Sequence, residues 1–90
     1  MIQEEDGDYS YNVALSGCVA YGNGGSGIRL GSGGAYYTVT GCVLRNNSEY
    51  GVELYSSPSD VIIDATVFDN NTSGTYTGET SSTIIGDIAT

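Results

Sequence analysis

Residues 13–36 read VALSGCVAYGNGGSGIRLGSGGAY, and residues 37–60 read YTVTGCVLRNNSEYGVELYSSPSD. A shift of 24 places lays one stretch on the other. Gly17-Cys18-Val19 recurs as Gly41-Cys42-Val43, Asn23 as Asn47, and Gly27-Ile28-x-Leu30 as Gly51-Val52-x-Leu54. A third unit, 61–84, keeps Ile63, Asn70 and Asn71 and then drifts to Thr75-Tyr76-x-Gly78. Ile84-Ile85-Gly86-Asp87-Ile88 reads as the start of a fourth, which makes the third about two residues short. Self-similarity at a fixed period of this size marks an architecture in which each unit buries its apolar side against the next.

Within each unit the apolar period is two. Val13 and Leu15 alternate with small or polar neighbours, as do Ile28 and Leu30, and the runs are broken by Gly, Asn and Ser. Short alternating runs between such residues are strands joined by turns. No sustained helical stripe exists, and tyrosine and β-branched residues are abundant. Three short strands per unit predict an all-β solenoid in which each unit winds one turn and pairs with the turns above and below.

These motifs, from Leu15-Ser16-Gly17 through Asn23 to Gly27-Ile28-x-Leu30 and their copies in the second unit, resemble the repeat of right-handed parallel β-helix proteins. That group is the pectate-lyase-like superfamily, which includes phage tailspikes. The resemblance spans residues 13 to about 88 and implies a right-handed parallel β-helix of about 3.5 coils. It implies little about activity, because the same repeat serves lyases, hydrolases, epimerases, tailspikes and inert surface proteins. It also implies an inward asparagine where Cys18 and Cys42 stand here; a thiol suits a dry core.

Equivalent residues in a parallel sheet stack about 4.8 Å apart. The inward ladders are therefore expected to be Val13–Tyr37–Val61, Leu15–Val39–Ile63–Ile85, Cys18–Cys42–Thr66, Ala20–Leu44–Phe68 and Ile28–Val52–Tyr76. Asn23, Asn47 and Asn71 fall where the chain must turn. Asparagine tolerates left-handed geometry and bonds nearby backbone, so these positions are expected to turn the chain and to form an amide ladder. Gly27 and Gly51 are expected to supply positive φ at the opening of the third strand. Arg29 precedes Glu53, and Arg45 precedes Asp69, by the same 24 residues, so each arginine is expected to pair with an acid one coil on.

Composition narrows the function. Two basic residues stand against eleven acidic ones, for a net charge of −9, which argues against nucleic acid, whose phosphates need a positive surface. No stretch approaches the roughly 20 apolar residues of a membrane span, so no membrane insertion is expected. Glu4, Glu5, Asp6 and Asp8 crowd the first eight residues. Residues 1–8 are accordingly expected to be an acidic tail and 9–90 one β-helix domain, its first strand beginning near Tyr9. No charged segment followed by an apolar one marks a secretory signal.

Two cysteines without a C-x-x-C or any histidine make neither a zinc site nor a Cys–His pair. Free thiols are expected, because stacked side chains point the same way. Gly22-Asn23-Gly24-Gly25-Ser26-Gly27 lacks the Lys and the helix of a phosphate loop. Arg29 stands where a calcium nonapeptide repeat would place aspartate. No metal or other cofactor, and no catalytic residue, is expected.

Outward positions carry what remains. Val19, Val43 and Val67 align on the outer face and are expected to form a contact stripe. Tyr21, Tyr36, Tyr50 and Tyr55 fall at outward or turn positions, where tyrosine rings stack on sugars. The ends of a short solenoid expose strand edges. The chain is therefore expected to be a segment of a longer β-helix or a homo-oligomer, either trimeric or stacked end to end. The expected function is a non-catalytic structural or polysaccharide-contacting module of the tailspike, tail-fibre or cell-surface type, on a virion or outside the cell. The alternative is a piece of a polysaccharide lyase, hydrolase or epimerase whose active site other residues complete.

Overall fold

The computed structural model describes residues 2–3, 12–31, 36–55, 60–80 and 82–90. Its strands are β1 (Ile2–Gln3), β2 (Asn12–Ser16), β3 (Val19–Tyr21), β4 (Ile28–Leu30), β5 (Tyr36–Thr40), β6 (Val43–Arg45), β7 (Tyr50–Leu54), β8 (Asp60–Asp64), β9 (Thr66–Asp69), β10 (Gly74–Thr77), β11 (Thr83–Ile85) and β12 (Ile88–Ala89). They form three parallel sheets of four strands, ordered β1-β4-β7-β10, β2-β5-β8-β11 and β3-β6-β9-β12. Every third strand returns to the same sheet, as a chain wound about one axis requires. The fold is a parallel β-helix of a few coils, the all-β solenoid that the repeat predicts.

The register follows the 24-residue period. Val13 faces Tyr37 and Tyr37 faces Val61; Leu15, Val39 and Ile63 align; Ala20, Leu44 and Phe68 align; Ile28, Val52 and Tyr76 align. The last coil is shorter, with Ile63 facing Ile85 across 22 residues. Ile2–Gln3, within the run expected as a tail, pairs with Ile28–Arg29. The acidic residues 4–8 and Tyr9 lie outside the described residues.

The length differences fall at one corner. From the second sheet to the third the chain always advances six residues between paired rungs, as from Val13 to Val19 and from Thr83 to Ala89. From the third sheet to the first it advances nine, as from Val19 to Ile28 and from Val67 to Tyr76. From the first sheet to the second the steps differ: eleven from Ile2 to Val13, nine from Ile28 to Tyr37, nine from Val52 to Val61 and seven from Tyr76 to Thr83.

The two constant corners are fixed by backbone geometry. Gly17, Gly41 and Ala65 share one position and have φ of 66°, 63° and 50°. Gly22, Asn46 and Asn70 share the other, with φ of 71°, 54° and 54°. The left-handed residue is thus the one before each of Asn23, Asn47 and Asn71, which corrects the expectation that those three make the turn themselves. Gly27 and Gly51 are not among the positive-φ residues either. They are glycines because space is lacking: a Cβ on Gly27 would lie 2.9 Å from Asn47 Nδ2 and from Gly51 O. Ala65 carries a strain that its glycine counterparts avoid, about 1–2 kcal/mol for a residue with a Cβ. Ala65→Gly is therefore expected to raise the melting temperature by several degrees, read by thermal circular dichroism; an unchanged or lower value would refute the strain.

The core lies along the axis. Ile28, Leu30, Tyr37, Val39, Cys42, Leu44, Val52, Leu54, Val61, Ile63 and Phe68 are buried. Val13, Leu15, Cys18, Tyr76, Ile85 and Ile88 pack against them while partly exposed. Tyr76, expected inside, is only half-buried because β10 is the last rung of its sheet among the described residues. Tyr37 is wholly enclosed, and its hydroxyl donates to Gly31 O at 2.7 Å, which satisfies the one polar atom that a buried tyrosine brings.

A second ladder runs parallel to the apolar core. Asn23 Nδ2 donates to Asn47 Oδ1 at 2.9 Å, and Asn47 Nδ2 donates to Asn71 Oδ1 at 2.8 Å. Each oxygen also accepts the backbone N–H of the asparagine before it, at 3.2 Å. Asn47 Nδ2 reaches Ala20 O, and Asn71 Nδ2 reaches Leu44 O. Asn47 is buried and uses both donors and both acceptor sites.

Candidate functional site

The outer face of the sheet β3-β6-β9-β12 is built from the alternation of each strand. Ala20, Leu44 and Phe68 point to the core, so their neighbours point out. Val19, Val43 and Val67 consequently stack in register along the outside, followed by Ala89. Val19 is 68% exposed and Val67 42%, whereas Val43 between them is half-buried. Beside this stripe runs a second row, Tyr21–Arg45–Asp69, again one residue per coil. Arg45 Nε sits 3.2 Å from Asp69 Oδ2, and its guanidinium carbon lies 5.9 Å from the centroid of the Tyr21 ring. Tyr21 is 62% exposed. The face therefore offers an apolar stripe bordered by an aromatic ring and an ion pair.

The other tyrosines do not join this face. Tyr36 begins β5 and Tyr55 follows β7, so both flank the corner between the first and second sheets; Tyr50 begins β7. Tyr36 is exposed. Tyr55 is partly occupied: Arg29 lies over its ring at 4.6 Å, and its other contacts fill the space where Gly31 has no side chain. The Tyr50 ring lies beside Gly74. The structure thus distributes Tyr21, Tyr36, Tyr50 and Tyr55 around the solenoid rather than gathering them in one groove.

A second apolar row escaped the sequence reading. Ala14, Thr38, Ile62 and Ile84 align along the outside of the second sheet, and Ile62 and Ile84 are exposed. The signal was present, since each lies between two inward residues, but Thr38 interrupts the row.

Three of the acids, Glu53, Asp64 and Asp69, are engaged in structure. Glu53 accepts from Ser26 Oγ at 2.8 Å and pairs with Arg29 at 3.5 Å, while Ser26 Oγ accepts the Tyr50 N–H. Asp64 Oδ1 accepts the N–H groups of Ala65 at 2.9 Å and Asp87 at 2.6 Å, which ties the last coil to the one before. Asp69 belongs to Arg45. Both ion pairs expected from the spacing are therefore present, and each is worth about 0.2–1 kcal/mol at such exposure. Among the described residues no three His, Cys, Asp or Glu side chains gather as a metal site. No helix of the described residues is long and apolar enough to cross a membrane.

Three parallel sheets stacked coil on coil, with an axial core and an inner asparagine ladder, define a β-solenoid protein. A family model described as the right handed beta helix region matches residues 6–88, and the chain belongs to that family. Neither curated proteins nor solved structures give a match.

Proposed function

We propose that the chain is a non-catalytic structural module that associates with further copies of itself and contacts polysaccharide, in the manner of a tailspike, tail-fibre or cell-surface β-helix outside the cell. The observation that supports this reading is the division of labour among side chains. Glu53, Asp64, Asp69, Arg29 and Arg45 hold coils together, whereas Val19, Val67 and Tyr21 stand exposed together on one face. Exposed apolar rows of this kind are contact surfaces when a polar rim borders them, and Arg45–Asp69 supplies that rim. Tyr21 adds a ring suited to stacking on a sugar.

The test has two arms. Light scattering after size exclusion is expected to show an oligomer, and Val19→Arg with Val67→Arg is expected to release monomers of unchanged fold. A well-folded monomer from the unsubstituted chain would remove self-association. A neutral polysaccharide is expected to be bound, and acidic polysaccharides, with and without calcium, are expected not to be cleaved. Tyr21→Ala should weaken binding about fivefold or more, the scale of an aromatic anchor. Cleavage by this chain alone would favour the polysaccharide-degrading alternative.

A further inference from the structure

Cys18 and Cys42 occupy the same place in consecutive coils, immediately before β3 and β6. Val19 faces Val43, and the Val43 N–H donates to Cys18 O at 2.8 Å, so the cysteines are one rung apart in axial register. Both are free thiols. Cys42 is buried, with Sγ 3.4 Å from Thr40 O and 3.5 Å from Leu15 O, the latter in the coil of Cys18. Cys18 is half-buried, with Sγ 3.8 Å from Ser16 O. Burial pushes the Cys42 thiol pKa up, and the Cys18 thiol beside it adds to the rise.

Side chains stacked in a parallel sheet stand about 4.8 Å apart. A disulfide needs sulfurs about 2 Å apart and a torsion near 90°, which equally directed side chains do not provide. One ion held in line between two sulfurs does span the gap. Two metal–sulfur bonds of about 2.3 Å, the length found with zinc, reach about 4.6 Å. Thiolates are soft ligands that select soft ions, and linear coordination asks for no third side chain. The net charge of −9 raises the local concentration of cations.

We propose that Cys18 and Cys42 form a two-thiolate site for a soft, linearly coordinating ion such as Cu(I) or Hg(II). On binding, both S–H bonds break, two metal–sulfur bonds form and two protons pass to solvent; no electrons are transferred. The next rung of the same ladder supplies the control. Thr66 Oγ1 lies 2.9 Å from Asp64 O and 3.4 Å from Val39 O, the same contacts that Cys42 makes with Thr40 and Leu15. Threonine is therefore a side chain that this ladder already accepts.

The experiment titrates the whole chain with Hg(II) in the presence of a competing monothiol. Free thiols are counted with a chromogenic disulfide reagent, and circular dichroism follows the fold. One equivalent is expected to mask both thiols together. Cys18→Thr and Cys42→Thr should each lose more affinity than the 10–100-fold that removing an outer-shell partner costs. X-ray absorption on the loaded, unsubstituted chain is expected to show two sulfurs per ion, and it stands even if a variant fails to fold. Two equivalents bound independently, unchanged affinity in either variant, one sulfur per ion, or an ion that bridges two chains would each overturn the proposal.

Discussion

Asn47→Asp is expected to cost the protein a large share of its stability at neutral pH, although the two side chains have nearly the same shape. The substitution replaces Nδ2, which donates to Ala20 O and Asn71 Oδ1, by an oxygen. Acceptors then face acceptors inside the protein, and a charge is placed where the residue is 1% exposed. Leaving a buried polar group without a partner costs about 1–3 kcal/mol, and more when it is charged. Two such losses give about 3–5 kcal/mol, against the roughly 5–15 kcal/mol that a natural domain possesses. Asn47→Leu is expected to be comparably severe. The adjacent Asn46→Gly should change stability by less than about 1 kcal/mol, because Asn46 is left-handed, where glycine is at ease, and its side chain gives up only a solvent-exposed bond from Asn70 Nδ2. Urea unfolding followed by circular dichroism measures all three. An Asn47→Asp midpoint indistinguishable from the unsubstituted protein would remove the asparagine ladder from the list of forces that hold the coils.

Gly51→Ala is the second large effect. The φ of Gly51 lies outside the left-handed region, so alanine has no conformational reason to be refused there. Its Cβ would, however, collide with Phe68 Cδ1 and lie 2.8 Å from Thr75 O. Overpacking of this kind costs about 1–3 kcal/mol, occasionally more, and the carbonyl belongs to the backbone of the next coil, which cannot step aside alone. The expected loss is at the upper end of that range. Phe68→Leu on its own also destabilises, but in the double variant the two losses should sum to less than their separate values, because the aromatic edge that the methyl meets is gone. Strict additivity in thermal or urea unfolding would show that the Phe68 contact does not set the identity of residue 51.

The sequence made the axis and the inward ladders legible because parallel strands in register demand the same chemistry every 24 residues. Leu15, Val39 and Ile63, and likewise Ala20, Leu44 and Phe68, were placed by that demand alone. Arg29 with Glu53 and Arg45 with Asp69 were legible for the same reason, since residues 24 apart stand side by side on adjacent strands. The turn residues were misplaced by one. Asn46-Asn47 and Asn70-Asn71 offer two asparagines each, and nothing local distinguishes the one that takes the left-handed turn from the one that follows it. The reason for Gly27 and Gly51 was hidden because a lack of room is set by Asn47 and Phe68, each of which approaches from the next coil. Outward residues obey no such packing rule. Hence Ile62 and Ile84 went unnoticed, and four tyrosines that looked alike in the sequence proved not to share one face.

One corner of the winding advances by eleven, nine, nine and seven residues while the other two keep constant steps. The rungs on either side stay paired regardless, so length there is uncoupled from register. Of the three edges of the prism, this is the one onto which a foreign loop, a peptide epitope or a whole guest domain can be spliced without retuning the helix beneath it. Evolution has the same freedom: new surface chemistry can be tried at that edge one coil at a time, while the scaffold keeps its pitch.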